Sequence, residues 1–436
     1  MRNDWYSCDG YGLSEKSEGA PFARVTSRRT VLVGVALGAV SWLTAKSALA
    51  QVAVQPKKAN KNLIVSIFLR GGADGLNTVV PYGEDAYHRL RPTLGLAPPR
   101  GGSASFAERV LDLDGFFGFN PALAPLLPLY KEGQLAVLHA VGSNDHTRSH
   151  FEAMSAMERG LPRVSAGVSS GWLARHLESC RTDQVVPLRA VALGATMPDS
   201  LRGATDALAM ESLADFRLDA DADINTALRS LYKKGDDTLT EAGRETLHVL
   251  DTLNRLDPKS YKPSHGAVYP RSDLGSALEQ VAFLNRAEVG LEIAALDKGG
   301  WDTHVAQGVS TGLLSGQLDD LGKSLAAFAN DLGPEMANVT IVVQTEFGRR
   351  AGENSGLGTD HGRASMMFLM GGGVKGGRVY SKWPGLEANQ LEDPGDLKVT
   401  TDYRDVLAEV LTARTVGSDI SSVFPGLERQ AVDCMG

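Results

Sequence analysis

Continuous apolar runs of strand length constrain the fold of this chain more than any other feature. Three of them cover residues 62–69, 134–141 and 338–345, and the last is rich in β-branched residues. Such runs are typical of strands that are buried on both faces of a sheet. A further apolar run covers 366–370, and large apolar residues recur at helical spacing over 317–332. Strands that alternate with helices in this way predict an α/β fold with a doubly wound, mostly parallel sheet.

The first fifty residues are interpreted as an export signal rather than as part of the fold. A twin arginine at positions 28–29 precedes an uncharged run at 31–45, and Ala-Leu-Ala at 48–50 is a small-residue cleavage pattern. The uncharged run is shorter than the roughly 20 residues that a membrane-spanning helix needs. We therefore expect residues 1–50 to be a twin-arginine signal peptide, with the twin-arginine translocase as the partner during export. The alternative is an uncleaved N-terminal anchor.

After cleavage the chain, residues 51–436, is expected to be periplasmic or secreted, with no stable membrane span. It is acidic, because 38 basic and 48 acidic side chains remain of the 44 and 52 in the whole sequence. A nucleic-acid partner is not expected, since binding to phosphates requires an excess of basic side chains. Only Cys180 and Cys434 remain, so a disulfide framework is not expected either, and a single bridge between them is left open.

The middle of the chain differs in composition from the rest. Residues 197–286 are acidic and rich in alanine, which predicts a helical insertion in the α/β domain. The segment 185–193 just before it predicts a strand, and Pro187 favours an edge position because proline cannot donate a ladder hydrogen bond. Three aspartates lie close together in this segment, Asp219, Asp221 and Asp223. The glycine and glutamate that a calcium-binding loop needs are missing from the positions around them, so they are interpreted as solvated surface.

Ionisable residues lie where the predicted strands end, or just before the next one begins. In an open parallel sheet the carboxyl ends of the strands meet at one edge, and ligands bind there. Carboxylate and imidazole groups from separate loops are therefore expected to meet. The candidate metal ligands are Asp74, Asp302, His304, Glu346, Asp360 and His361.

The spacing of these residues predicts one or two sites for divalent metal ions. Asp302 and His304 are two residues apart, so in an extended segment both side chains point the same way, and His361 could complete a first site. Asp74, Glu346 and a hydroxyl carried by a helix could hold a second ion. Mixed oxygen and nitrogen ligands suit zinc, manganese, iron or calcium. Alternatively, Asp74 caps a helix or turn, and Asp360 orients His361 instead of binding metal.

A loop that turns into a helix supplies the candidate nucleophiles. Ser149 and Thr147 lie at the predicted helix start, where free backbone N–H groups and the helix dipole favour negative charge. His146 and His150 are four residues apart on that helix, so they would share a face and are considered as further ligands. The alternative for the hydroxyl groups is a helix cap without chemistry.

Two arginines are candidates for binding an anionic substrate. Arg148 lies beside the predicted nucleophiles, and Arg349 follows the strand that ends near Glu346. A guanidinium group matches two oxygens of a phosphate or sulfate group in a bidentate fork. Either arginine could instead form a structural ion pair.

Six short motifs resemble the signature blocks of an exported bacterial family called domain of unknown function 1501. They are Arg-Gly-Gly-Ala-Asp-Gly-Leu-Asn at 70–77, Arg-Ser-His-Phe-Glu-Ala at 148–153, Gly-Trp-Asp-Thr-His at 300–304, Glu-Phe-Gly-Arg at 346–349, Gly-Thr-Asp-His-Gly at 358–362 and Thr-Asp-Tyr-Arg at 401–404. That family is similar to the alkaline phosphatase and sulfatase superfamily, which has a doubly wound sheet around a two-metal site. The resemblance implies one alkaline-phosphatase-like domain over residues 51–436, with the insertion inside it.

The resemblance also implies roles for individual residues. Asp74 would be the ligand after the first strand, and Asp302 with His304 would be a later pair. Glu346 would replace the aspartate of an Asp-His pair, and His361 would correspond to a later histidine. Alternatively, Asp360 and His361 are the Asp-His pair, and then no histidine follows it in the sequence.

The sequence departs from the superfamily pattern at two points. Phe347 follows Glu346 where the superfamily has a histidine, and the sulfatase motif Cys-x-Pro-x-Arg is absent. Asp402 is a substitute ligand or, alternatively, the N-cap of the last helix. Together, residues and resemblance predict an exported metal-dependent hydrolase that acts on a small anionic ester of phosphate or sulfate. The alternative is a non-catalytic periplasmic binding or assembly protein that keeps the fold.

Overall fold

The computed structural model describes residues 62–436, apart from 101–103, 106–107, 165–166, 182–185, 187, 215–221, 234 and 236. The predicted export signal and the aspartates at 219 and 221 lie outside the described residues. The described strands are β1 Leu63–Leu69, β2 Val79–Val80, β3 Leu111–Asp112, β4 Gly118–Phe119, β5 Leu135–Gly142, β6 Ala190–Leu193, β7 Ala207–Met210, β8 Ile293–Lys298, β9 Val339–Thr345, β10 Ser365–Gly371, β11 Val379–Tyr380 and β12 Thr401–Asp402.

Helices connect most of these strands. The α-helices are α1 Gly75–Thr78, α2 Asp85–Leu90, α3 Leu127–Lys131, α4 His150–Glu158, α5 Trp172–Ser179, α6 Ala222–Leu231, α7 Thr238–Leu256, α8 Asp273–Arg286, α9 Leu313–Leu332, α10 Tyr403–Arg414 and α11 Ile420–Val423. Short 3-10 helices cover Pro121–Leu126, Asp199–Leu201, Pro258–Ser260 and Gly333–Asn338. No helix in the described part of the chain is long and apolar enough to cross a membrane.

One large sheet organises the domain. Its strands lie in the order β11-β5-β10-β9-β1-β8-β6-β7, and β12 pairs with β5. All recorded pairings are parallel except those of β10, which is antiparallel to both β5 and β9. The strands β2, β4 and β3 form a separate small antiparallel sheet. The prediction of a mostly parallel sheet is confirmed.

Alternating side chains of the central strand enter different cores. Val65 and Ile67 of β1 pack with α8 and α9, whereas Ile64 and Phe68 pack with α5 and α10. Because successive residues of a strand point to opposite faces, these two apolar clusters cover the two faces of the sheet. The doubly wound architecture therefore follows from strands that are apolar on both sides.

Two predictions about the middle of the chain need correction. The strand predicted at 185–193 is not at an edge, because β6 pairs with both β8 and β7. Pro187, on which the edge prediction was based, lies outside the described residues. The edge strand on this side of the sheet is β7. It lies inside the range 197–286, where the sequence predicted helices, and the helices α6, α7 and α8 lie in that range as well.

The two remaining cysteines are both buried, and neither forms a disulfide bond. Cys180 ends α5, and Cys434 lies near the end of the chain in the core beside α10. The bridge that the sequence left open is therefore not formed in this structure.

Parallel strands bring their carboxyl ends to one edge of the sheet. The loops after β1, β5, β8 and β9 begin at this edge. The short strand β12 lies at the same edge, because it pairs with the end of β5. Because β10 is antiparallel, the loop before it arrives at the same edge. The fold thus collects loops that are far apart in sequence.

Replacing Leu325 by alanine should lower the free energy of unfolding by about 2–5 kcal/mol, because this side chain of α9 is fully buried in the core. Leu313 begins the same helix and is 57% exposed, so Leu313→Ala is a matched control with an expected loss below about 0.5 kcal/mol. Urea unfolding followed by circular dichroism measures both variants. Equal losses would contradict the inward face assigned to α9.

Candidate metal centre

Three histidines and one aspartate meet at the carboxyl edge of the sheet. Nε2 of His361 lies 2.9 Å from Nε2 of His150 and 2.8 Å from Nε2 of His304. One carboxylate oxygen of Asp302 lies 3.1 Å from Nε2 of His304 and 3.4 Å from Nε2 of His361. The other lies 3.6 Å from Nε2 of His150. Ligand atoms of His150, Asp302 and His361 all lie within 4.8 Å of one another, which is compatible with a shared ion.

Each histidine is oriented by a partner that can only accept a hydrogen bond. Nδ1 of His150 lies 2.7 Å from the Glu346 carboxylate, and Nδ1 of His304 lies 3.4 Å from the Asp360 carboxylate. Nδ1 of His361 lies 2.9 Å from the backbone carbonyl of Arg148. The proton of each neutral ring is therefore on Nδ1, and the lone pair of Nε2 faces the other rings. This is the arrangement in which histidine binds metals.

Glu346 lies behind His150 rather than among the converging atoms. Its side chain is 0% exposed and accepts hydrogen bonds from the Gly71 N–H at 2.8 Å and the Thr345 hydroxyl at 3.0 Å. The hydrogen bond from His150 to this carboxylate raises the pKa of His150. In contrast, burial lowers the pKa of His361. The sequence analysis named Glu346 as a ligand and His150 only as a further one, whereas the structure brings His150 to the centre.

Arg349 lies beneath Asp302. Its guanidinium donates to Asp302 Oδ1 at 2.6 Å and to four backbone carbonyls, those of Gly71, Gly72, Trp301 and Thr359. Burial opposes ionisation of Asp302, but the hydrogen bond and charge of Arg349 bring its pKa below the ordinary value. Arg349 was expected to bind an anion, yet its side chain is 0% exposed, while Asp302 is 47% exposed. The structure therefore gives Arg349 the structural ion pair that was the alternative.

The carboxylate of Asp74 bonds to residues outside the histidine cluster. Its Oδ2 lies 2.6 Å from the Arg91 guanidinium and 2.7 Å from the amide nitrogen of Gln307, and its Oδ1 caps α1 at the Asn77 N–H. Both side chains of the Asp74–Arg91 pair are fully buried. Among the described residues no recorded contact joins Asp74 to the three histidines. These contacts fit the helix-capping alternative of the sequence analysis.

Two other sequence features have plain structural roles. Asp402 is the N-cap of α10 and also pairs with Arg404 at 2.7 Å, so the capping alternative is confirmed. Phe347, which follows Glu346 where the resemblance implied a histidine, packs against the rings of His150 and His361 with centroids 4.8 and 4.9 Å away. Phe347 thus forms an apolar wall of the centre.

The start of α4 carries the candidate nucleophiles. Ser149 is the N-cap residue, but its side chain makes no capping hydrogen bond. The Thr147 hydroxyl donates to Glu152 at 2.7 Å, and the Arg148 guanidinium donates to the buried carboxylate of Asp396 at 2.5 Å. His146 is exposed and does not join the cluster. Of the two hydroxyl groups, that of Ser149 is the less engaged.

Arg350 differs sharply from its neighbour Arg349. Its backbone N–H donates to the Asp360 carbonyl at 2.9 Å. A hydrogen bond from Asn354 and, further, the nearby charge of Arg350 lower the pKa of Asp360. Within the described residues no hydrogen bond of its guanidinium is recorded, and its Nε is buried without a partner. The sequence analysis did not single out Arg350, because adjacent arginines look alike in sequence, whereas in the structure Arg349 is buried and Arg350 is only partly buried.

The chain belongs to a family of proteins of unknown function, DUF1501, whose family model matches residues 61–430. The resemblance stated from the motifs is thereby confirmed. Among proteins with curated descriptions, none is significantly similar in sequence to this chain.

Solved structures of the alkaline phosphatase superfamily are similar in fold. One is a superfamily protein from Vibrio parahaemolyticus, with 10% identity and a TM-score of 0.38, covering 90% of this chain and 77% of that chain. Another is the C-terminal periplasmic domain of EcEptC from Escherichia coli in complex with zinc, with 10% identity, a TM-score of 0.35 and coverages of 88% and 93%. A third is the alkaline phosphatase of the Antarctic bacterium TAB5, with 10% identity, a TM-score of 0.28 and coverages of 72% and 93%. At these values the likeness concerns the fold alone.

The donor set itself shows which ions the site suits. Three imidazole nitrogens and one carboxylate oxygen fit zinc, manganese or iron, whereas calcium prefers oxygen ligands only. The rings are already oriented by their Nδ1 partners, so the residues present fit a single divalent ion.

We predict that His361→Ala will weaken zinc binding more than the roughly 10–100-fold that follows loss of an orienting partner. Glu346→Gln, which removes the charge behind His150, should fall within that range. His146→Ala is the matched control and should leave the affinity unchanged, because His146 is exposed and outside the cluster. Competition with a chromophoric chelator measures all three affinities. Equal effects of His146→Ala and His361→Ala would contradict the assignment.

Proposed function

We propose that this protein is an exported, metal-dependent hydrolase of phosphate or sulfate esters. The observation that carries the proposal is the convergence of three histidine Nε2 atoms and the Asp302 carboxylate, with each histidine held by its Nδ1. Residues 1–50 support export through their twin arginine and cleavage pattern. Orienting hydrogen bonds of this kind are typical of functional metal sites.

Four residues would hold the ion, namely His150, His304, His361 and Asp302. A bound divalent ion would polarise the ester and stabilise the negative charge that develops on its oxygens. Glu346 and Asp360 would keep the imidazole rings of His150 and His304 in place. Arg349 keeps Asp302 ionised and fixes the loop that carries it.

Ser149 is the proposed nucleophile. It lies directly before His150 at the N-terminus of α4, where backbone N–H groups and the helix dipole stabilise negative charge on its oxygen. The serine hydroxyl would give up its proton as its oxygen bonds to phosphorus or sulfur, the bond to the ester oxygen would break, and the ester oxygen would take up one proton and leave as the alcohol. Hydrolysis of the serine ester would then release the anion.

Arg350 is the proposed anion-binding arginine. Arg349 is buried and fully bonded, and Arg148 is paired with Asp396, so neither is free to serve as predicted. Arg350 is next to both in the fold, since its backbone bridges to Asp396 and bonds to Asp360. A guanidinium group at this place would select an anionic ester over a neutral one.

The second candidate is a periplasmic binding or assembly protein without turnover. The observation that favours it is that Arg148 and Arg349, the two arginines expected to bind the substrate, are both engaged in ion pairs. Metal would then have a structural or ligand-binding role. The two candidates differ in one measurable property, which is release of product from an ester.

Full-length mature protein loaded with zinc should hydrolyse 4-nitrophenyl phosphate or 4-nitrophenyl sulfate. His361→Ala should abolish this activity, and Ser149→Ala should lower kcat by at least about 100-fold, because nucleophile loss removes the main chemical step. His146→Ala should keep wild-type kinetics. Metal binding without product release from either ester would favour the binding-protein candidate.

Arg350→Ala should raise KM for the anionic ester by about 10-fold or more, since a charged hydrogen bond contributes roughly 1.5–3 kcal/mol. Arg271→Ala is the control, because Arg271 is an exposed arginine just before α8. Steady-state kinetics with the ester found active above give KM and kcat for both. An unchanged KM in Arg350→Ala would remove this residue from the substrate site.

A further inference from the structure

Arg70 links the segments that carry the ligands of the candidate centre. It directly follows β1, and its N–H donates to the carbonyl of Lys298, the last residue of β8, at 2.9 Å. Its carbonyl accepts from the Trp301 N–H at 3.3 Å, one residue before Asp302. The backbone of Arg70 thus holds the loop of Asp302, while its side chain runs toward α4.

The guanidinium of Arg70 contacts two side chains of α4, those of Met154 and Glu158. Its two terminal nitrogens each lie 3.1 Å from one oxygen of Glu158, and one of them lies 3.2 Å from the sulfur of Met154. Met154 and Glu158 are four and eight residues after His150, so all three lie along one face of the helix. Arg70 therefore contacts the face of α4 that begins with His150.

This contact is largely buried and its geometry is fixed. The Glu158 side chain is 6% exposed, and the Arg70 guanidinium also lies 4.9 Å from the ring centroid of Phe68. A second carboxylate, that of Asp297, lies 2.8 Å from the same guanidinium. A planar fork held by two oxygens of one carboxylate restricts rotation as well as distance.

Small rotations of α4 would displace His150 by distances that matter for an ion. Side-chain tips lie about 5–6 Å from a helix axis, so a rotation of about 10° moves them by about 1 Å. Ligands must be held within about 0.5 Å of their productive positions. The bond from His150 to Glu346 fixes the ring at one end of the helix, and the Arg70 fork fixes the other end.

We propose that Arg70 is a positioning residue for His150, acting through Glu158 and α4 to aim Nε2 of His150 at the point where the other ligands meet. The proposal rests on the metal centre proposed above. Loss of the Arg70–Glu158 pair should therefore weaken metal binding, whereas loss of a purely structural pair should lower stability alone.

Arg70→Lys tests this role, because lysine keeps the positive charge but lacks the planar fork. A matched control is Arg189→Lys, since Arg189 forms a second buried pair with Glu292, with Nε 3.1 Å from Oε1. Arg70→Lys should weaken binding of zinc and cobalt about 10–100-fold and change the visible absorption of the bound cobalt. Arg189→Lys should lower Tm comparably and leave affinity and absorption unchanged. An Arg70→Lys variant with lowered Tm and unchanged cobalt affinity would overturn the proposal.

A readout without metal separates this proposal from that of the centre itself. In metal-free protein, the ring ¹⁵N signals of His150 report its hydrogen bond to Glu346, and Arg70→Lys should shift them while Arg189→Lys should not. If the wild-type protein binds no metal, the centre is wrong, but a shift of these signals still supports the positioning role. If Arg70→Lys fails to fold, the near-isosteric Glu158→Gln replaces it with the same expected changes, and unshifted signals would overturn the role.

Discussion

The hydrogen bond from His150 to the buried carboxylate of Glu346 is the interaction on which the centre depends. A carboxylate that is closed off from solvent is costly unless donors surround it, and Glu346 has three, from Gly71, Thr345 and His150. These donors come from the loop after β1, the end of β9 and the start of α4. Satisfying one buried charge therefore ties together three segments, and it fixes which nitrogen of His150 faces the cluster.

A second buried charge in the same turn completes the support. Arg349 lies three residues after Glu346 and binds carbonyls of the loops after β1 and β8 together with Asp302. The turn after β9 thus places the buried carboxylate of Glu346 behind His150 and the buried guanidinium of Arg349 behind Asp302. The charge of Arg349 stabilises the ionised form of Asp302, which has lone pairs free for an ion, whereas Glu346 orients His150 so that its Nε2 faces the cluster. Phe347 lies between them in sequence and packs against the rings of two of the histidines.

Much of the architecture could be predicted because its strands are apolar on both faces. The run at 338–345 became β9, and α9 buries the leucines and phenylalanine that recur at helical spacing. Short elements were harder to predict: β7 is the four-residue run Ala-Leu-Ala-Met, which is too short to tell a strand from part of a helix. The strand β8 begins only at Ile293, because Glu288 and Gly290 just before it adopt positive φ and form a turn. Local conformation of this kind is set by contacts that periodicity does not record.

The site shows a similar division. Spacing was enough to bring Asp302 and His304 together, and the strand-end rule brought His361 to the same edge. Spacing could not tell a residue that faces the centre from one that lies behind it, as Glu346 and Asp360 do. Spacing also could not distinguish Arg349 from Arg350, which are adjacent in sequence. The guanidinium of Arg349 is surrounded by acceptors, whereas the Nε of Arg350 is buried without a partner.

The environment of Asp74 favours one ion over two. The positions of the ionisable residues predicted that Asp74 would help to hold a second ion, but the guanidinium of Arg91 already supplies positive charge there, at 2.6 Å. An ion bound to Asp74 would have to replace this charged hydrogen bond, and also the one from Gln307. It would leave Arg91, which is fully buried, without its carboxylate, and an uncompensated buried charge is strongly destabilising. Asp74 is therefore committed to its pair with Arg91, and the side chains that converge on one point are those of His150, His304, His361 and Asp302.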